Sequence, residues 1–450
     1  MSDEQKKPVS DGKEPKNKSA KSSVNVDNAL NNFSKTTVEP PKKNRSWVSF
    51  IVLPIVIALG LYCMIQLVGE INTAENAWSF KDLINNINVK YLVLALALIF
   101  IVMLLESLKY FVVTHAVTGR LKPLDSIKVA FVGKYYDAIT PFSAGGQPMQ
   151  IYYLHKKGHS TGTSSAIILI KYFIQMMCWV TICFLLMVIN RGVLDSNFGE
   201  PLQLWGLNIP IKEFLTIAGW IGWVVNAVLP LSIIFFAIFP KFTNKVLNFF
   251  INLVINISWR AANRKERKTG ESQFNRKVKL IRRKRKWIDS ANSAVTDFRS
   301  SFAVMIHRPL HFITLLITCI CEQLLTWAFP FFILIAFAKE ATPTWELAFM
   351  IMTLNVYSAM SVTVVPTPGN SGPMEIVMGV VIAGALPKLI AAASVWVLLG
   401  WRMSTYYIYI LVGMGITIFE FIRKLVRNKR QNQLLQSNES QQSQSPSDKK

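Results

Sequence analysis

Charge is scarce in this chain of 450 residues. Asp, Glu, Lys and Arg make up 17% of it, against 51% hydrophobic residues. An average soluble domain carries about 25% charged residues and does not string its apolar residues into long runs, so a soluble globular class is excluded. Acidic residues are scarcer still, 26 against 49 Lys and Arg. Histidine and cysteine are rare as well, five of each. His155/His159 and His307/His311 stand four apart, but Gly158 or Pro309 interrupts each pair, and both read as interfacial histidines rather than metal ligands. Cys63, Cys178, Cys183, Cys319 and Cys321 all fall in apolar runs, which argues against a disulfide framework and a thiolate metal site. No Walker loop, G-x-S-x-G or zincin motif is present, so nothing points to an ATP-driven pump. No catalytic residue, metal or cofactor is expected. No cleavable signal is visible either: the first apolar run starts at Trp47, behind a long charged tail, and exceeds a signal-peptide core.

What is present is hydrocarbon. Several apolar runs reach about 20 residues, enough to cross a bilayer as helices. The fold class is an all-α polytopic membrane protein. Of the net charge of +23, +20 lies in three segments that flank these runs. Residues 1–46 hold ten Lys/Arg against six Asp/Glu, residues 260–286 thirteen against two, and residues 421–450 seven against two. Excess Lys/Arg beside a span marks the cytoplasmic side, and the same charge attracts an anionic membrane surface. Binding to tRNA or another nucleic acid is the competing reading of the basic stretch 260–286, and the distribution argues against it.

The spans follow in order. Residues 1–46 and 421–450 read as disordered tails around a membrane domain over 47–420. Full spans are expected at Trp47–Val68, Tyr91–Val113, Ala166–Ile189, Phe214–Phe239, Leu310–Ala338 and Leu389–Phe419. Span four should bend at Pro230. Between spans four and five, the basic cytoplasmic loop 240–309 should contain an interfacial amphipathic helix over 241–258 and a short helix over 287–309. Two segments do not fit. Ile127–Leu154 is too polar for a span and has basic residues on both flanks; Leu347–Leu386 is interrupted midway. Both read as re-entrant hairpins. The charge rule then gives six spans, two hairpins and both termini in the cytoplasm.

The hairpin tips are the most informative residues. One runs Thr140-Pro-Phe-Ser-Ala-Gly-Gly-Gln-Pro-Met-Gln150, the other Thr367-Pro-Gly-Asn-Ser-Gly-Pro-Met-Glu375. Both open on Thr-Pro and close on Pro-Met before a carboxamide or carboxylate. Irregular backbone at membrane depth persists only where protein buries it or where it lines a wet cavity, and paired breaks in two halves point to a transport site. Hairpin one should enter from the cytoplasm and hairpin two from outside, which makes an inverted repeat. The candidate headgroup residues are Gly145, Gly146, Gln147, Gln150, Gly369, Asn370, Ser371, Gly372 and Glu375. Half-helix N-termini at the breaks should attract an anion such as a phosphate headgroup.

Ionisable groups inside spans are costly and therefore candidates by default. They are Glu106, Lys109, Lys171, Glu322 and Arg402. Glu106 and Lys109, three apart on one helix, suit a mutual pair. Glu322–Arg402 is the preferred pair across the second repeat, and Lys171 is placed near a span end.

These two tip sequences resemble the paired signatures of the lysylphosphatidylglycerol synthase transmembrane-region family, the flippase-like domain of bacterial multiple peptide resistance factors. The resemblance runs from about residue 47 to 425. The second tip departs from the usual form at Asn370 and Pro373. The resemblance implies a bacterial plasma-membrane protein that moves phospholipid, such as aminoacylated phosphatidylglycerol, between leaflets. Full-length relatives add a soluble domain that transfers lysine from lysyl-tRNA to phosphatidylglycerol, and this chain resembles only the membrane part. The readings are therefore a lipid translocase first, and second a phosphatidylglycerol lysyltransferase or its membrane subunit, working with a separate lipid-modifying enzyme and contributing to cationic peptide resistance. A scaffold acting through 260–286 comes third, and a homo-oligomer is compatible with each.

Overall fold

The computed structural model describes residues 79–426 except 200, 205–206, 270–273, 340, 387–392, 421 and 424–425. The expected first span, Trp47–Val68, the N-terminal tail and most of the C-terminal tail lie outside the described residues. Among the described residues, five helices are long and apolar enough to cross a membrane.

A short helix α1 (Phe80–Asn86) opens the described chain, capped by the Ser79 side chain on the Asp82 amide. The Asp82 carboxylate reaches back to the Ser79 amide at 2.9 Å, which completes a capping box. The first long helix, α2 (Val89–Thr118), ends at Gly119 in the left-handed conformation. Leu96, Phe100 and Leu104 on one side of α2 are exposed. In water that would be a liability; here it is the face for lipid tails. Its other side packs on α10 (Pro309–Phe337). The two run antiparallel: the Asn88 amide donates to Ala336 O at 2.7 Å, Lys109 meets Glu322 mid-helix, and His115 faces His311 at 3.3 Å.

That antiparallel pair fixes the hairpins. Helices α3 (Pro123–Ile139) and α4 (Gly146–Lys156) follow the C-terminal end of α2. The Lys157–Asp125 ion pair at 2.6 Å ties the end of α4 to the start of α3, so the segment enters and leaves at one end of the bundle. Helices α11 (Trp345–Val362) and α12 (Pro373–Ala385) follow the C-terminal end of α10, which lies beside the start of α2. The second hairpin therefore enters from the opposite end. The two tips meet: Pro141 and Pro368 form an antiparallel backbone bridge.

The other long helices are α5 (Thr161–Ile189), α7 (Ile211–Ile238) with Pro230 inside it, and α13 (Ser394–Glu420), which contains one π turn at Met403–Tyr407. A short helix α6 (Val193–Asn197) and a two-stranded antiparallel ribbon, β1 (Leu202–Leu204) with β2 (Leu207–Ile209), connect α5 to α7. The basic region expected to hold helices over 241–258 and 287–309 is two longer helices, α8 (Pro240–Thr269) and α9 (Phe274–Ile306), which also take in most of the basic stretch between them. Lys and Arg have unbranched stems that lose little freedom in a helix, so high charge does not by itself break one. Helix α9 packs on α5, where Phe302 meets Phe173 edge-on at 5.7 Å.

Candidate polar site between the hairpin tips

A charged chain runs across the bundle core. Lys109 Nζ lies 2.6 Å from Glu106 Oε2 and 3.0 Å from Glu322 Oε2. Glu106 Oε1 in turn lies 2.7 Å from Lys171 Nζ. Lys171 donates to the Tyr110 hydroxyl at 2.9 Å, and Gln150 Nε2 donates to the same oxygen at 2.6 Å. Three spans, α2, α5 and α10, and the first hairpin are thus joined by one network. The expected Glu106–Lys109 pair is present. Lys171 is buried in the bundle rather than turned out at a span end.

The expected Glu322–Arg402 pair is not formed. Glu322 is taken by Lys109, while Arg402 Nε lies 2.8 Å from Glu375 Oε1 in the second hairpin. The reason is local. Pro373 starts α12, and the turn before it places Gly372 at φ 94, which leaves the Gly372 amide facing back toward the helix start. Glu375 Oε2 accepts from that amide at 2.7 Å, and the carboxylate is then fully buried within reach of Arg402. Ser371 supports it at 3.4 Å. The Arg402 guanidinium also lies over the Tyr406 ring at 4.4 Å.

The same logic revises the expectation about half-helix N-termini. Each is already occupied by a carboxylate of the chain. At α12 it is Glu375; at α4 it is Asp137, whose Oδ1 accepts from the Gly146 amide at 2.8 Å. At each helix start one backbone amide is thus taken by the chain itself. A methyl group at Gly146 would sit 2.3 Å from Asp137 Oδ1, so glycine is required for this approach.

Tyr406, in the π turn of α13, stitches the tips together. Its hydroxyl lies 3.0 Å from Ala138 O in the first hairpin and 3.3 Å from Pro368 O in the second. The wider π turn buries both Tyr406 and its neighbour Tyr407. Such turns recur at functional places in helices.

Beside the joined tips is a cavity of about 380 Å³. Of the expected site residues, Gln147, Gln150 and Asn370 line it, together with Glu106, Lys171 and Glu322. Gly145, Gly146 and Gly369 shape the tips around it, and Gly369 at φ 56 lets the backbone pass under the Tyr406 ring. Ser371, Gly372, Glu375 and Arg402 form a separate buried cluster, and Lys109 is sealed behind the wall.

Two charged cavity residues escaped the sequence reading. Lys134 and Asp137, one turn apart on α3, both line it. The signal was there: the same polarity made Ile127–Thr140 unsuitable as a span. Lys134 makes no ion pair among the described residues; its nearest aromatic partner is the Tyr409 ring, 5.8 Å away. Gly133 was missed as well. An added Cβ would lie 1.7 Å from Gln150 Nε2, so only glycine lets Gln150 reach Tyr110. Walls of Tyr110, Tyr172 and Trp179 complete the chamber. With two ammonium groups, three carboxylates, neutral amides and aromatic faces, it suits a ligand that itself carries both signs of charge. Its size lies within the range of about 300–1,000 Å³ typical of small-ligand pockets.

Comparison with known proteins points to a membrane-protein family. A UPF0104 membrane protein of Archaeoglobus fulgidus is 23% identical over 363 residues, covering 79% of this chain and 94% of the relative. No solved structure gives a significant match. The family model described as "Lysylphosphatidylglycerol synthase TM region" matches residues 46–413, from the expected first span to the last helix and through both hairpins. The chain is a multi-pass membrane protein and belongs to the lysylphosphatidylglycerol synthase TM region family.

Proposed function

We propose that this protein binds a phospholipid headgroup bearing both a phosphate and an ammonium group, and passes it between the leaflets of the cell membrane. Lys134 takes the phosphate. The carboxylates of Glu106, Glu322 and Asp137 and the aromatic faces of Tyr110, Tyr172 and Trp179 take the ammonium. Lysylphosphatidylglycerol and other aminoacylated or zwitterionic phospholipids have this headgroup chemistry. The observation that carries the reading is the mixed-charge cavity beside the meeting point of two opposed hairpins, within helices whose outer faces are apolar. Burying so many ionisable groups is expensive unless they are used or paired, and Lys134 lacks an ion-pair partner among the described residues. The basic helices α8 and α9 face the cytoplasm in this reading, as the distribution of Lys and Arg requires.

The test is reconstitution into vesicles containing an amine-bearing phospholipid, with a membrane-impermeant amine reagent outside. Inner-leaflet lipid should become reactive with the protein present. Lys134→Gln should slow that exposure by about tenfold or more, the scale of losing one charged hydrogen bond. Exposure no faster than in protein-free vesicles would refute the proposal.

A further inference from the structure

The first hairpin has a second concave side. Helix α4 turns Gln147 and Gln150 toward the cavity described above. Met149, Tyr152, Tyr153 and Lys156 lie on another face of the same helix, at the spacing of adjacent helical turns. They line a groove of about 700 Å³ between α3, α4 and the end of α13. It shares none of the charged residues of the central cavity.

Its charge is one-sided. Lys128, Lys156, Lys157 and Arg423 face it against one carboxylate, Glu420. Glu420 accepts the hydroxyl of Tyr153, and Lys157 is paired with Asp125. Lys128, Lys156 and Arg423 make no ion pair among the described residues. Lys156 lies over the Tyr152 ring at 4.7 Å. One or two turns further in along the same helices the lining is apolar: Val132, Met149, Ile416 and Phe419, the last of these 61% exposed. Three unpaired cations at one end and a hydrocarbon wall at the other match one kind of molecule. A soluble phosphate would have no use for the apolar wall, and a neutral lipid none for the cations.

We infer that this groove holds an anionic phospholipid, its phosphate between Lys128, Lys156 and Arg423 and its acyl chain along Ile416 and Phe419. The site is separate from the central cavity and does not depend on translocation. A chain that moved no lipid at all would still hold one here.

The test is native mass spectrometry of the full-length protein in detergent, titrated with phosphatidylglycerol or phosphatidylcholine. The parent should bind phosphatidylglycerol more tightly. The combined Lys128→Gln, Lys156→Gln, Arg423→Gln variant should lose at least about tenfold in that affinity while its phosphatidylcholine binding is unchanged, given roughly 1 kcal/mol per basic residue toward anionic lipid. A control variant, Arg282→Gln, Arg283→Gln, Lys284→Gln on α9, removes equal charge elsewhere and should bind as the parent does. Three results would overturn the assignment: equal affinity in parent and groove variant, an equal loss in the α9 control, or displacement of the lipid by glycerol phosphate, which would make this a site for a soluble phosphate. Because Lys134→Gln leaves the groove intact, it should retain the lipid even where exposure across the bilayer fails, so the two proposals fall separately.

Discussion

Lys134 is the residue on which the most depends. Its ammonium is half-buried beside three carboxylates yet in ion-pair contact with none of them among the described residues, which leaves it free to meet a phosphate. Lys134→Arg keeps the charge but exchanges a point donor for a planar fork, so partial translocation is expected, against near loss for Lys134→Gln. Gly133→Ala is the sharper structural probe. The added methyl must displace Gln150 from Tyr110, since their present approach leaves no room. Its expected effect is slower lipid exposure with the protein still folded, measured by thermal unfolding beside the vesicle assay; unchanged transport would separate Gln150 from the site. At this scale the sequence was only partly legible. It marked Gln147, Gln150, Asn370, Glu106, Lys171 and Glu322, which do line the cavity. It mispaired Arg402 because proximity in span number stood in for proximity in space. It passed over Lys134 and Asp137 because they lie in a hairpin arm, neither inside a full span nor at a tip.

At the scale of elements, the antiparallel α2–α10 pair carries the architecture, and the Lys109–Glu322 bond lies near its middle. Removing one member of a buried ion pair leaves an uncompensated charge and costs about 3–5 kcal/mol. Glu322→Leu should therefore lower stability strongly in detergent. Adding Lys109→Met should recover part of the loss, although Glu106 then keeps only Lys171. A double-mutant cycle on thermal unfolding checks this, and purely additive losses would contradict it. The long helices were legible because an apolar run of membrane length has one outcome in a bilayer. Helices α8 and α9 were legible in part: the helices expected over 241–258 and 287–309 overlap them, while the basic stretch between carried no reading of its own. The β1–β2 ribbon left no readable trace, being two three-residue strands.

At the scale of the whole molecule, two matched Thr-Pro to Pro-Met tips and the charges beside them sufficed to foresee opposed hairpins. Their contact was not foreseeable. It depends on Tyr406 reaching both backbones from a π turn, and no local pattern encodes that reach. The bases of the hairpins provide a check on the opposition itself: single cysteines at Lys156 and Trp345 should label from opposite sides of sealed vesicles. The central claim is that a headgroup passes between the joined tips, which must then part and close. Pro141→Cys with Pro368→Cys tests it most directly, because bridged backbones lie within the Cα separation of about 4.4–6.8 Å that a disulfide needs. In reconstituted vesicles the oxidised protein should stop exposing inner-leaflet lipid, and reduction should restore the rate. Equal rates with the disulfide formed and reduced would contradict the account.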